Sequence, residues 1–173
     1  MADFSTLIQA WFRQNQRNLP WRGISDPYKI WLSEVILQQT RVDQGMAYYL
    51  KFVETFPTIK DLANADEDQV LNLWQGLGYY SRARNMHFSA KMVANDLDGI
   101  FPLTYKSVLS LKGVGEYTAA AITSIAYNLP HAVVDGNVYR VLSRYLEIAT
   151  PIDSTQGKKE FSLAAAEFLD HNN

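Results

Sequence analysis

Two carboxylates stand in opposite sequence surroundings. Glu34 lies inside Ile30-Trp31-Leu32-Ser33-Glu34-Val35-Ile36-Leu37. Apolar neighbours penalise its charged form and so raise its pKa. A glutamic acid still protonated near pH 7 can hand a proton to a leaving group, which a solvated glutamate hardly can. The ordinary state of a lone helix glutamate is partial exposure, and the residues themselves leave both readings open. Asp135 sits in Val133-Val134-Asp135-Gly136-Asn137, just ahead of a helical pattern from Val138. Free amides at a helix start favour an ionised side chain there. It is either a plain N-cap or an N-cap that also serves chemistry.

A third stretch could grip a phosphate. Leu111-Lys112-Gly113-Val114-Gly115 ends one helical pattern and opens another at Glu116-Tyr117-Thr118. Val114 can pin the turn to a core while the glycines take conformations closed to other residues. Backbone amides at a helix start, with no bulk in front of them, suit an anion. An ordinary connection is the competing reading. Arg41, Arg82, Arg84, Lys112 and Arg140 are further phosphate candidates, although such spacing also describes a solvated helix face. His87, His131 and His171 share no metal-ligand spacing and are expected at the surface.

These groups need elements to hold them. Residues 3–15 carry Phe4, Leu7, Ile8, Trp11 and Phe12 on one helical stripe. Asp26-Pro27 is a helix start, an N-cap followed by proline at the first helical position. Helices are expected over 28–39, 44–56, 58–63, 70–75, 82–93, 104–111, from 116, over 138–148 and over 156–170. Asp66 and Gln69 read as a capping box ahead of the fourth of these. No segment alternates as a strand, and there is no repeat or low-complexity tract. The fold class is all-α, with eight to ten short helices.

Composition sets further bounds. A chain of 173 residues holds one domain or two small lobes. No run of about 18 apolar residues occurs, so no membrane span is expected. The start MADFSTLIQAWF lacks the basic opening and cleavage site of a secretory signal. With no cysteine, the chain has no disulfide, no thiolate metal site and no Cys-held iron–sulfur cluster of its own. A net charge of -2 speaks mildly against nucleic acid, yet leaves room for a local basic face.

The turn LKGVG followed by the aspartate of VVDGN resembles the helix-hairpin-helix base-excision DNA glycosylase superfamily. The run SEVILQQTRV narrows the resemblance to adenine DNA glycosylases of the MutY type. That resemblance implies a helix-hairpin-helix glycosylase fold of two helical lobes with the active site in the cleft between them. One lobe would hold six helices over 22–134, with the hairpin at about 104–127; the other would combine 1–21 with 135–173. Glu34 would protonate the leaving adenine at N7. Asp135 would stabilise or attack the oxocarbenium ion at C1′, and Asn137 would hold the aspartate or the sugar. The logic is that of two-carboxylate glycoside hydrolysis, with one acid neutral and one charged.

Tyr117 stands where bifunctional relatives of the endonuclease III type carry a Schiff-base lysine, so the resemblance implies a monofunctional hydrolase. Tyr117 would hydrogen-bond the catalytic acids; otherwise it is a half-buried helix tyrosine. Gln39 would insert beside the orphan base, and Tyr79 of Gly-Leu-Gly-Tyr-Tyr-Ser-Arg would wedge into the stack, offsetting the cost of flipping the target. Thr40, Leu77, Arg82, Lys112, Gly113, Val114 and Gly115 join them at the DNA. Trp21 and Arg22 of Leu-Pro-Trp-Arg would line the adenine pocket, with packing between lobes as the alternative for Trp21.

The expected partner is double-stranded DNA with a flipped-out adenine opposite 8-oxoguanine or guanine. The expected protein is a monomer, cytoplasmic and nucleoid-associated in a bacterium. Family members continue into four cysteines holding a [4Fe–4S] cluster and then a lesion-reading domain, so this chain corresponds to the N-terminal catalytic part. Two other functions remain: a different mismatch or oxidised-pyrimidine glycosylase, and a non-catalytic helix-hairpin-helix DNA-binding module.

Overall fold

The computed structural model describes residues 4–169, so His171 lies outside the described residues. Ten helices and no strand occur among these residues. They are α1 (Phe4–Asn15), α2 (Pro27–Leu37), α3 (Val42–Thr55), α4 (Ile59–Asn64), α5 (Glu67–Trp74), α6 (Ser81–Asp96), α7 (Tyr105–Leu109), α8 (Glu116–Tyr127), α9 (Gly136–Tyr145) and α10 (Thr155–Glu167). The chain divides into two compact units, Leu19–Tyr127 and the two flanking segments Met1–Asn18 and Asn128–Asn173. The larger unit holds the seven helices α2 to α8.

The larger unit is built around α2. Apolar residues occupy most of its circumference, and Ile30, Trp31, Leu32, Val35 and Ile36 are all buried. It packs against α3 and α8, while α4 and α5 lie on α6. Phe52 meets Trp74 edge-on at 5.9 Å, and Trp31 meets Phe101 at 5.7 Å. The start of α2 follows its sequence signal: Asp26 accepts the amides of Tyr28 at 3.0 Å and Lys29 at 3.3 Å.

Other caps depart from expectation. Asp66 makes no side-chain bond to its helix. Capping boxes form instead at Thr58 with Asp61 and at Thr104 with Ser107. Both begin with a β-branched hydroxyl on extended backbone, and in both the side chain three residues on is short enough to return a bond to the N-cap amide.

His87, expected at the surface, is buried on α6. It shares a helix face with Ala83 and Ala90, and α6 packs on α4. Desolvation by burial and nearby Lys91 push its pKa down. His131 is half-buried.

In the smaller unit Leu142, Phe161 and Ala164 form a core, with Val134, Val138, Tyr139 and Phe168 packed around it. Tyr139 and Phe161 meet edge-on at 5.0 Å. Phe4 of α1 lies 4.4 Å from the Tyr145 ring and 4.7 Å from that of Phe168. The Ser5 hydroxyl donates to the Phe168 carbonyl at 2.7 Å. The rest of the α1 stripe, Leu7, Ile8, Trp11 and Phe12, forms but stays exposed.

Candidate DNA-processing site

The site begins with the acid inside the central helix. Glu34 is mostly withdrawn from water because the residues flanking it on α2 are core residues. Desolvation alone lifts its pKa from 4.5 to about 7. The carboxyl is therefore about half protonated at neutral pH, the condition under which one group both holds and releases a proton.

One turn further on, α2 ends at Gln38, whose amide approaches the Thr118 hydroxyl of α8 at 3.5 Å. Gln39 is then exposed with φ of 55°, and Tyr79 is exposed with φ of 44°. Left-handed backbone at a non-glycine residue costs about 1–3 kcal/mol and persists only where surroundings impose it. Among the described residues five non-glycines adopt it, and Asp98 and Asn128 are types that tolerate it. Of the other three, two are the residues expected to wedge into DNA; the third is Glu147.

Arg82 bonds the backbone that precedes both residues. Expected at a phosphate, it turns inward. Its Nη1 donates to the carbonyls of Val35 at 3.1 Å, Ile36 at 3.2 Å and Gln38. Its Nη2 donates to Leu77 at 3.1 Å and Gly78 at 3.4 Å. The guanidinium lies 5.0 Å from the Trp74 ring and 5.8 Å from that of Tyr79. The last carbonyls of a helix have no acceptor role inside it, and a planar fork of donors satisfies several at once. Leu77, expected at the DNA, has its side chain buried in the core. Sequence reasoning missed the structural use of Arg82, and a cation amid Trp74, Leu77 and Tyr79 was the available signal.

The hairpin joins α7 to α8. Val114 is buried and pins the turn as expected. Gly113 has φ of 81°, and a Cβ there would stand 2.9 Å from the Asn85 Cβ, so glycine is required on both counts. Gly115 is different: its backbone is not left-handed and nothing lies within 4 Å of where a Cβ would stand. It directly precedes α8, whose first amides have no acceptors within the helix. Lys112 places its ammonium 4.6 Å from the Phe88 ring centre. Among the other cations, Arg84 pairs with Glu67 at 3.3 Å, both well exposed, while Arg41 and Arg22 are exposed. Thr40 is half-buried and donates to the Gln38 carbonyl at 3.3 Å. Trp21 packs on the larger unit, edge-on to Tyr49 at 5.1 Å. Tyr117, next to buried Thr118, is partly exposed on the first turn of α8.

In the smaller unit Asp135 caps α9. One carboxylate oxygen accepts the amides of Asn137 and Val138, both at 2.9 Å. The other accepts the Asn137 side-chain amide at 3.1 Å, and Arg140 in turn donates to the Asn137 carbonyl oxygen. Asn137 is thereby oriented with its NH2 toward the carboxylate. The sequence motif Asp-Gly-Asn brings its members together locally, and Arg140 joins them one turn later.

The model of the HhH-GPD superfamily of base excision DNA repair proteins matches residues 32–166. The chain belongs to the HhH-GPD superfamily. Its all-helical architecture is that superfamily's fold. It is 43% identical over 145 residues to an adenine DNA glycosylase of Buchnera aphidicola subsp. Baizongia pistaciae, covering 84% of this chain and 41% of that protein. It is 40% identical over 176 residues to the Homo sapiens adenine DNA glycosylase, covering 96% of this chain and 32% of that protein. The chain thus spans well under half the length of these relatives. Among solved structures, a thermostable thymine-DNA glycosylase is similar with a TM-score of 0.88 at 28% identity, over 97% of this chain and 77% of that one. An endonuclease III structure trapped on DNA has a TM-score of 0.77 at 19% identity, over 98% and 80% respectively, a likeness of fold.

The HhH-GPD chain has no cysteine, and among the described residues no group of three or more His, Asp or Glu could hold a metal. The residues present therefore do not fit an iron–sulfur cluster, and no chemical step runs through one. No helix among the described residues is long and apolar enough to cross a membrane.

Proposed function

We propose that the chain is the catalytic part of a monofunctional DNA glycosylase that removes adenine mispaired with 8-oxoguanine or guanine. The observation carrying this reading is Glu34, held by burial at a pKa of about 7 within SEVILQQTRV. In this reading Glu34 protonates N7 of a flipped adenine, and the C1′–N9 bond breaks with its electrons passing to the base. The Asp135 carboxylate stabilises the oxocarbenium ion left at C1′, and Asn137 holds that carboxylate in place. Water then adds to C1′ and gives up its proton, leaving an abasic site.

The reaction requires the Glu34 acid and the Asp135 carboxylate to act on one nucleotide. The α8 amides grip a phosphate through the space left by Gly115, and Gln39 and Tyr79 fill the gap in the stack. Trp21 and Arg22 line the adenine pocket, and Tyr117 replaces the lysine that would cut the strand. The protein binds duplex DNA as a monomer in the cytoplasm, and a longer parent carries the iron–sulfur cluster.

A second reading, removal of thymine opposite guanine, is favoured by the likeness to a thymine-DNA glycosylase. One experiment separates the two. Single-turnover incubation with duplexes bearing A opposite 8-oxoguanine, A opposite G, T opposite G, or thymine glycol is followed by alkali. Cleavage confined to the adenine strands supports the proposal. Cleavage of the T·G duplex alone replaces it with the second reading.

A further inference from the structure

The positions of Gln39 and Tyr79 raise a question of mechanics. A side chain that pushes into a base stack must be backed by something stiff, and both residues sit at the ends of short turns with strained backbone. Glycine-rich sequence such as Gly76-Leu77-Gly78 makes a poor backing by itself.

We propose that Arg82 is the positioning residue that locks the two wedge turns into a single rigid unit. It rests on the glycosylase reading for what the wedges do. The geometry behind it is independent of that reading. One guanidinium spans two turns about 40 residues apart in sequence: Nη1 takes the carbonyls of Val35, Ile36 and Gln38 at the end of α2 leading into Gln39, and Nη2 those of Leu77 and Gly78 immediately before Tyr79. Trp74 braces the same point, packing on the guanidinium and donating its indole N–H to the Gly78 carbonyl at 2.9 Å. Beside it, Tyr48 donates to the Gln75 carbonyl at 2.7 Å, so the second turn is held at both ends. A lysine would keep the charge but has no flat fork to reach both sets of carbonyls. Arg82 therefore acts through Gln39 and Tyr79 and need not touch DNA.

The test has two readouts. In the free protein, NMR couplings across the hydrogen bonds from the Arg82 guanidinium, and backbone couplings of positive φ at Gln39 and Tyr79, are measured on wild type and on Arg82→Lys. Wild type should show both, and Arg82→Lys should lose the positive-φ couplings at the two residues together, with other backbone signals in place. On a duplex with 2-aminopurine in place of the target adenine, Arg82→Lys and Arg82→Gln should lose about tenfold in the flipped fraction at saturating protein. Their salt dependence of affinity should stay that of wild type, whereas loss of a phosphate contact would lower the slope by about one in Arg82→Gln. A folded Arg82 variant that flips like wild type overturns the proposal, as does a slope lowered by one with flipping intact. Absence of the guanidinium couplings in wild type overturns it without recourse to any variant. Failure of wild type to flip any base removes the glycosylase reading and the wedge role with it, while the free-protein couplings still decide whether Arg82 joins the turns.

Discussion

The two acids of this chain are made distinctive in opposite ways. Glu34 acquires its character from what it lacks: core residues flank it on α2, and no charged neighbour contributes to its raised pKa. Asp135 acquires its character from what it has, two backbone amides and one side-chain amide converging on the carboxylate. Removal of solvent is a property of the packed larger unit. Amide capping is a property of four consecutive residues. The same functional group is thus specialised by tertiary burial in one unit and by local backbone in the other, and the two should respond differently to mutation and to pH.

The largest expected effect is on chemistry. Glu34→Gln should lower single-turnover adenine release by about 10²–10⁴-fold, since an amide supplies no proton. Asp135→Asn should lower it by about 10²–10³-fold through loss of charge at C1′. Both variants should retain duplex binding. Full activity in Glu34→Gln would end the comparison by removing the acid from the reaction.

Stability separates the acids next. The folded pKa of Glu34 is about 7 against 4.5 unfolded, so the unfolded chain releases this proton first as pH rises. Stability is full below pH 4.5, falls as pH rises toward 7 and levels off above it. Glu34→Gln escapes that loss. It should match wild type in acid and exceed it above pH 7 by roughly 3 kcal/mol, measured by urea denaturation across pH. Asp135→Asn should change stability by less than about 0.5 kcal/mol at any pH, since asparagine caps a helix about as well as aspartate. A Glu34→Gln variant no more stable at pH 8 than wild type would mean that the acid is solvated.

Smaller effects test whether the grip on DNA is separate from both acids. Gly115→Asp projects a charge into open space before the α8 amides. It should weaken duplex binding at low salt by about 1 kcal/mol, several-fold, with the thermal midpoint unchanged. Gly113→Ala should instead lower the thermal midpoint, because the new methyl meets Asn85 on left-handed backbone. Equal binding losses without any change in midpoint would show that the two glycines do one job. The smallest effect concerns strand cutting: borohydride trapping of wild type should be near background, and Tyr117→Lys should raise it slightly. Efficient trapping of wild type would place the chain with the bifunctional lysine enzymes.

Much of this was legible in the sequence because it is local. Asp26-Pro27 starts α2, Asp135 caps α9 and Val114 anchors the hairpin through contacts within a few residues, whereas the apolar run around Glu34 left burial and exposure both open until the helices packed. What tertiary structure alone decided depends on partners distant in the chain. Arg82 read as a surface cation because its five carbonyls belong to other segments, three of them 44 to 47 positions away. His87 read as exposed because its burial comes from α4 packing on α6. The α1 stripe read as core, yet Leu7, Ile8, Trp11 and Phe12 stay exposed while Phe4 packs on Tyr145 and Phe168, since a periodic apolar face states a capacity to pack and says nothing of what packs on it. Spacing along a chain prescribes which side chains share a helix face. Only the assembled helices determine whether that face meets carbonyls, another helix or water.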